Sequence, residues 1–311
     1  MWGVWMGEDW EVNHVGMTVG NRNAVLRHYQ ALGVGVSVGP QPLLPYEAGE
    51  GSLTFYRTLE GDPVTDTYTT GGAHTFNDGE SQIGDCQLEC YPMKPGPGMF
   101  LSEYLQKKGP GINHICFNSS SVEEDTERFL SQGCSLMFNA LVNNKTIENY
   151  LDTRAFGDLM ISLRPPPTEW ERTWKANNLA HPLVNDWVFK GVGVAVADLQ
   201  GALRYYESLG FKQFEEIAYD REIASESAAV SVGPLSFEFF TAADENSVYA
   251  ESFALRGDGV NDIAFYVADL EAEMAKLASK GVLPLRISED GRSVYFETRA
   301  EGNIMVRLVQ R

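Results

Sequence analysis

The segment Gly111-Ile-Asn-His-Ile-Cys-Phe-Asn118 places a histidine at the centre of an apolar run. Alternate residues of a strand face opposite sides, so Ile112, His114 and Cys116 share one face while Asn113, Ile115 and Phe117 share the other. An imidazole on such a face is either a core group satisfied by a neighbour or a group that holds something. Neutral imidazole can give one nitrogen to a cation and its other N–H to an acceptor. The cysteines Cys86, Cys90, Cys116 and Cys134 contain no Cys-x-x-Cys pair and read as free, mostly buried thiols of a reducing compartment.

The elements that must position these groups are repeated along the chain. Residues 12–33, VNHVGMTVGNRNAVLRHYQALG, run parallel to residues 189–210, FKGVGVAVADLQGALRYYESLG. Each reads as a short strand centred on Val-Gly, a loop, and an amphipathic helix closing on Leu-Gly, where glycine suits a left-handed cap. GINHICFNSSSVEEDTERFLSQG (111–133) pairs likewise with GVNDIAFYVADLEAEMAKLASKG (259–281), QLECYP (87–92) with FEFFTA (237–242), and DLMISLRP (158–165) with NIMVRLVQ (303–310). The pattern is an α+β fold of four βαβββ units, two per domain, with domains at 8–168 and 186–311. Pro165 to Trp187, rich in proline and polar residues, reads as the linker.

The quarters differ in length. His14 to Glu89 spans 75 positions and Gly191 to Glu238 spans 47, so the first unit carries 28 more, within the Gly-, Pro- and Thr-rich segment Pro40 to Asp85. That segment is expected to form a lid over the first domain rather than to pair into its sheet.

Composition narrows the function classes. With a formal charge of −19, 43 acidic residues against 24 basic, the 311-residue chain is unsuited to nucleic acid or anionic membrane. It contains no run of 18 apolar residues, and its first ten residues have neither a basic region nor a continuous apolar stretch. The expectation is a cytoplasmic protein with a small-molecule partner, with a homodimer left open.

The order of the units, the opening NHVGMTV, the helix LRHYQALG and above all KKGPGINHICFNSSS resemble the vicinal oxygen chelate superfamily of glyoxalase I, methylmalonyl-CoA epimerase, extradiol dioxygenases and fosfomycin-resistance proteins. The local likeness over Gln87 to Phe117 and NYLDTRAFGDLMISLRP is to its epimerase-like branch. The resemblance implies two glyoxalase-like domains, each a cupped mixed sheet with flanking helices. It also implies a divalent metal inside a cup, on the first and last strands of each unit. Those positions are His14, Glu89, His114 and Ser162, the serine standing where the family usually has glutamate. In the second domain they are Gly191, Glu238, Asp262 and Arg307, where an arginine paired with Glu238 or Asp262 would leave a degenerate, structural cup.

Two imidazoles and a carboxylate on short apolar strands suit Fe, Mn, Co, Ni or Zn without distinguishing among them. The implied activity is polarisation of a substrate bearing two neighbouring oxygens, by an isomerase, epimerase or lyase working through an enolate or oxyanion. Glu80, Tyr150 and His74 are the nominees for moving the proton, given Ser162. One alternative is an extradiol-type dioxygenase with non-haem Fe(II); another is a binding protein without turnover.

Overall fold

The computed structural model describes residues 6–39, 49–55, 64–70, 80–213, 215–242 and 244–311. Its first half contains strands β1 (Glu11–Val19), β2 (Val36–Val38), β3 (Gly49–Phe55), β4 (Val64–Thr70), β5 (Glu80–Ile83), β6 (Cys86–Pro92), β7 (Gly111–Asn118), β8 (Leu136–Val142), β9 (Lys145–Leu151) and β10 (Met160–Arg164). Helices α1 (Arg22–Leu32), α2 (Phe100–Lys108) and α3 (Val122–Ser131) are interspersed, and α4 (Glu169–Leu179) follows. The strands form one mixed sheet in the order β2-β5-β6-β1-β7-β10-β9-β8-β3-β4.

The second half repeats this plan with β11 (Val188–Val196), β12 (Lys212–Gln213), β13 (Ala218–Asp220), β14 (Ser225–Val232), β15 (Leu235–Thr241), β16 (Gly259–Val267), β17 (Pro284–Ile287), β18 (Ser293–Phe296) and β19 (Met305–Gln310). Its order is β12-β14-β15-β11-β16-β19-β18-β17, with β13 on β14 and with helices α5 (Leu199–Ser208), α6 (Ala250–Arg256) and α7 (Leu270–Ala278). The expected α+β fold of two glyoxalase-like domains is the fold observed.

Local chemistry sets the element ends. Asn21, Asp198 and Asp269 each cap a helix by accepting the N–H three residues on, and Gly33 ends α1 at φ 72°. Strand β7 is buried along its whole length, because both faces of the sheet are covered. One continuous hydrophobic cluster joins the halves. Trp10 lies against Phe117, Phe129 and Phe211, and Trp187 against Phe265, while β7 packs beside β16. The α1 helix reaches across as well, with His28 Nε2 3.0 Å from the Thr298 carbonyl oxygen.

Two expectations are corrected. Within the extra segment, β3 and β4 form a hairpin, and β3 pairs along β8 from Gly51↔Val142 to Phe55↔Phe138, so it extends the sheet. The run Val-Thr-Asp-Thr-Tyr-Thr-Thr is rich in β-formers, and the β8 edge supplies otherwise unpaired backbone groups. The rest of the lid region lies outside the described residues. The supposed linker, meanwhile, contains α4, begun by a capping box in which the Thr168 hydroxyl accepts from Glu171 N and the Glu171 carboxylate accepts from Thr168 N. This helix packs over one end of the first sheet, with Lys175 Nζ donating to the Asn13 carbonyl at 2.9 Å and Arg164 Nη2 3.3 Å from Glu171 Oε1.

Candidate metal centre

Strand register brings the site together. Gly16 lies opposite both Glu89 on β6 and His114 on β7, and His14 lies opposite Cys116, which in turn neighbours Ser162 on β10. The second domain repeats this arrangement with Gly193 opposite Glu238 and Asp262, Gly191 opposite Ala264, and Arg307 beside Ala264. The correspondences of His14 with Gly191, His114 with Asp262 and Ser162 with Arg307 are therefore built into the pairing. The shared glycine has a steric reason. A Cβ on Gly16 would sit 1.8 Å from His114 Cε1, and one on Gly193 would sit 1.8 Å from Asp262 Oδ2. In both cups a side chain from the next strand lies over bare backbone.

Three of the expected residues converge. His14 Nε2 is 3.2 Å from Glu89 Oε2 and 3.2 Å from His114 Nε2, and His114 Nε2 is 3.9 Å from Glu89 Oε2. Both imidazoles are oriented from behind by the asparagine that precedes them, with His14 Nδ1 2.8 Å from Asn13 Oδ1 and His114 Nδ1 2.8 Å from Asn113 Oδ1. A chain of donors fixes the first amide. The Pro165 carbonyl can only accept, so it takes an N–H from Asn118; the Asn118 oxygen then takes one from Asn13, which leaves the Asn13 oxygen facing His14.

Since an amide oxygen can only accept, Nδ1 carries the proton on both rings in their neutral state, and both Nε2 atoms present lone pairs. Two lone pairs and a carboxylate oxygen face one another at close range. That arrangement is repulsive until a proton or a cation enters, so the donor set fits a divalent metal. The imidazoles keep 1% of their side-chain surface and Glu89 keeps 14%, so approach is from the carboxylate side.

The fourth position differs from expectation. Ser162 carries no charge, but its hydroxyl donates at 3.1 Å to Oε1 of Glu148, a residue of β9 that sequence reading did not select. Glu148 Oε1 lies 4.0 Å from His14 Nε2. A carboxylate is thus present at the fourth corner, supplied by the neighbouring strand. It shares a strand face with Tyr150, two residues on, which sits directly opposite Ser162. The Tyr150 ring lies 4.5 Å from that of His114, between Phe100 and Phe138. Glu80, fully buried, is register partner to Glu89 and projects from the same face. His74 lies outside the described residues.

The charges are mutually dependent. Burial works against a proton on His14, but the Glu89 carboxylate, aided by Glu148, outweighs it and raises the His14 pKa above the usual 6.5. Burial and the neighbouring His14 lower His114 to about 3, while Glu89, which burial alone would raise, is pulled down to about 2 by His14 and His114. Without metal the site is a His14 imidazolium paired with a Glu89 carboxylate beside a neutral His114. Because His14 alone of the three ligands carries a proton between the His114 pKa of about 3 and its own raised pKa, cation binding in that window should release one proton from the ligand set, and affinity should rise about tenfold per pH unit before levelling off. Calorimetric titration with Mn2+ at about pH 6, in two buffers of different ionisation enthalpy, measures that proton. Release of two protons, or of none, would contradict the charge state.

The second cup holds a cation of its own. Arg307 Nε donates to Asp262 Oδ1 at 2.9 Å and Nη1 donates to Glu238 Oε2 at 2.7 Å, so the arginine pairs with both carboxylates. Lys190 Nζ adds a second contact to Glu238 at 3.1 Å, and the Tyr249 hydroxyl donates to Asp262 at 2.8 Å. The guanidinium carbon lies 5.2 Å from the Phe240 ring centroid and 5.4 Å from that of Tyr295. Burial would raise Glu238, but Arg307 and Lys190 bring it to about 2; for Asp262 burial prevails and its pKa is raised.

Comparison with known proteins agrees with this architecture. Residues 191–296 match the family model of the glyoxalase/bleomycin resistance protein/dioxygenase superfamily. A triple mutant of 4-hydroxymandelate synthase from Streptomyces coelicolor superposes with a TM-score of 0.61 at 14% identity, covering 97% of this chain and 92% of that one. Methylmalonyl-CoA epimerase from Mycobacterium tuberculosis aligns at 26% identity and a TM-score of 0.36, over 40% of this chain and 87% of that one. A variant of the Streptomyces coelicolor epimerase in complex with 2-nitronate-propionyl-CoA gives 24% and 0.36, over 40% and 96%. No curated protein matches the sequence. Residues 191–296 therefore carry the sequence signature of the superfamily, and the chain as a whole shares its two-domain fold with the 4-hydroxymandelate synthase structure. No helix among the described residues is long and apolar enough to cross a membrane.

Proposed function

We propose that the first domain is a divalent-metal-dependent isomerase, epimerase or lyase that moves a proton next to a carbonyl of a small substrate bearing two neighbouring oxygens. The observation that carries this reading is the convergence of His14 Nε2, His114 Nε2 and a Glu89 carboxylate oxygen to within 3.9 Å of one another. These residues would hold the cation, which when bound supplies Lewis-acid polarisation of the substrate oxygens.

The proton is the work of the chain's own groups. Glu80, on the cup face beside Glu89, is the acid–base residue of choice, accepting the proton at a carboxylate oxygen and returning it from there. Tyr150 is poorly suited to be a base, because burial and then Glu148 and Glu89 push its phenol well above its usual range. It stays protonated and can donate a hydrogen bond to a substrate oxygen. Glu148, held by the Ser162 hydroxyl, adds negative charge that favours a cation in the cup.

The test is exchange of solvent deuterium into the carbon next to the carbonyl of 2-oxo acids and 2-hydroxy ketones, using Mn2+-loaded protein. Glu80→Gln should slow exchange by about 10²- to 10⁴-fold with metal content unchanged. Exchange unaffected by Glu80→Gln would remove Glu80 from this role. Oxygen uptake on catechols by the Fe(II)-loaded protein, without exchange, would replace the reading with a dioxygenase, and substrate binding without either would leave a binding protein.

A further inference from the structure

His14 belongs to two ligand clusters. One is the triad with Glu89 and His114; the other is His14, Cys116 and Glu148, whose ligand atoms also lie within 4.8 Å of one another. Strand parity explains the second. Cys116 follows His114 by two residues on the same cup face, pairs opposite His14 and lies beside Ser162, whose hydroxyl holds Glu148. Cys116 is fully buried, and none of the four cysteines is in a disulfide.

We propose that His14, Cys116 and Glu148 form a second, soft coordination position for a thiophilic divalent cation such as Zn2+, Cd2+ or Co2+. Metal bonds of about 2.3 Å to sulfur and about 2.0 Å to nitrogen or oxygen place tetrahedral ligands about 3.5 Å apart, so small rotamer adjustments close this cluster around an ion. As the metal–sulfur bond forms, the Cys116 S–H proton leaves to solvent. His14 Nε2 has a single lone pair, so one ion is bound at a time and its chemistry selects the position. Oxygen- and nitrogen-seeking ions take Glu89 and His114, and thiophilic ions move toward Cys116.

Charge separates the two outcomes. With neutral His14 and His114 and both neighbouring carboxylates ionised, a dication at Glu89 and His114 brings the cup to zero, and its open coordination positions accept a substrate oxygen. Adding a Cys116 thiolate to the same groups makes the sum −1, and the buried ion attracts no further anion. The soft position thus holds metal in a form that does not recruit substrate. It shares His14 with the proposed catalytic centre but uses different chemistry, which makes the two separable.

The experiment is the near-ultraviolet spectrum of the full chain with one equivalent of Co2+. A thiolate-to-cobalt charge-transfer band is expected in the wild-type protein and in His114→Ala, weakened in Glu148→Gln, and absent in Cys116→Ser. Cys116→Ser should weaken Cd2+ binding by at least about tenfold and change Mn2+ affinity by less than about twofold. Circular dichroism reports whether each variant is folded, and Cys116→Ala serves as the second removal of sulfur. Wild-type Co2+ bound at one equivalent with no such band, or a band that survives in both Cys116 variants, overturns the soft position while leaving the Glu89–His114 centre standing. Failure to bind Co2+ at all overturns both.

Discussion

Arg307→Ala should destabilise the protein by about 3–5 kcal/mol, the cost of leaving a buried ion pair without its partner. Arg307 keeps only 2% of its side-chain surface and holds two carboxylates, Glu238 and Asp262, of which Asp262 has no exposure. Lys190 reaches Glu238 but not Asp262 among the described contacts, so Asp262 would retain only the Tyr249 hydroxyl. Urea unfolding, followed separately by tryptophan fluorescence and circular dichroism, measures the loss. Glu238→Gln, in which Lys190 and Arg307 can still donate to the amide oxygen, should cost less. A change below about 1 kcal/mol in Arg307→Ala would mean that the network is no more than a set of solvated surface pairs.

His14→Ala should have the largest functional effect, with loss of bound metal and a fall in proton exchange of at least about 10³-fold, to the rate of the unaided reaction. The reason is geometric: Nε2 of His14 is 3.2 Å from Glu89, 3.2 Å from His114 and 4.0 Å from Glu148, and among the described residues His14 is the group that the two ligand clusters share. Metal analysis of the dialysed variant and its exchange rate are the two readouts. Asp262→Asn in the second cup serves as the control and should leave both unchanged. Retention of metal by His14→Ala, with activity within about tenfold of wild type, would assign the cation to other residues.

Much of the fold was readable because the chain states it four times. The repeated Val-Gly strands, Leu-Gly helix ends and matching later strands placed His14 against Gly191 and His114 against Asp262, and the pairing register has the same correspondence. The meaning of the Val-Gly itself was hidden, because Gly16 makes room for a ring from another strand, about 100 positions away. Glu148 was missed for a related reason. Carrying the fourth position to Ser162 fixed attention on β10, whereas the carboxylate comes from β9, and only the Ser162↔Tyr150 pairing tells which β9 residues face the cup. The signal available was parity, since Tyr150 was already singled out and Glu148 is two residues before it. The capping box Thr168-x-x-Glu171 was likewise present in a stretch read as linker, its prolines and polar residues outweighing a helix start. The hairpin on β8 involves long-range edge pairing, which local composition does not encode.

The most direct test of the metal centre is anomalous diffraction from crystals grown with Mn2+ and measured near the manganese edge. One peak per chain is expected, within about 2.0–2.3 Å of His14 Nε2, His114 Nε2 and a Glu89 oxygen, with none near Arg307. A peak among Glu238, Asp262 and Arg307, or a first cup without a peak when Mn2+ is in excess, would contradict it.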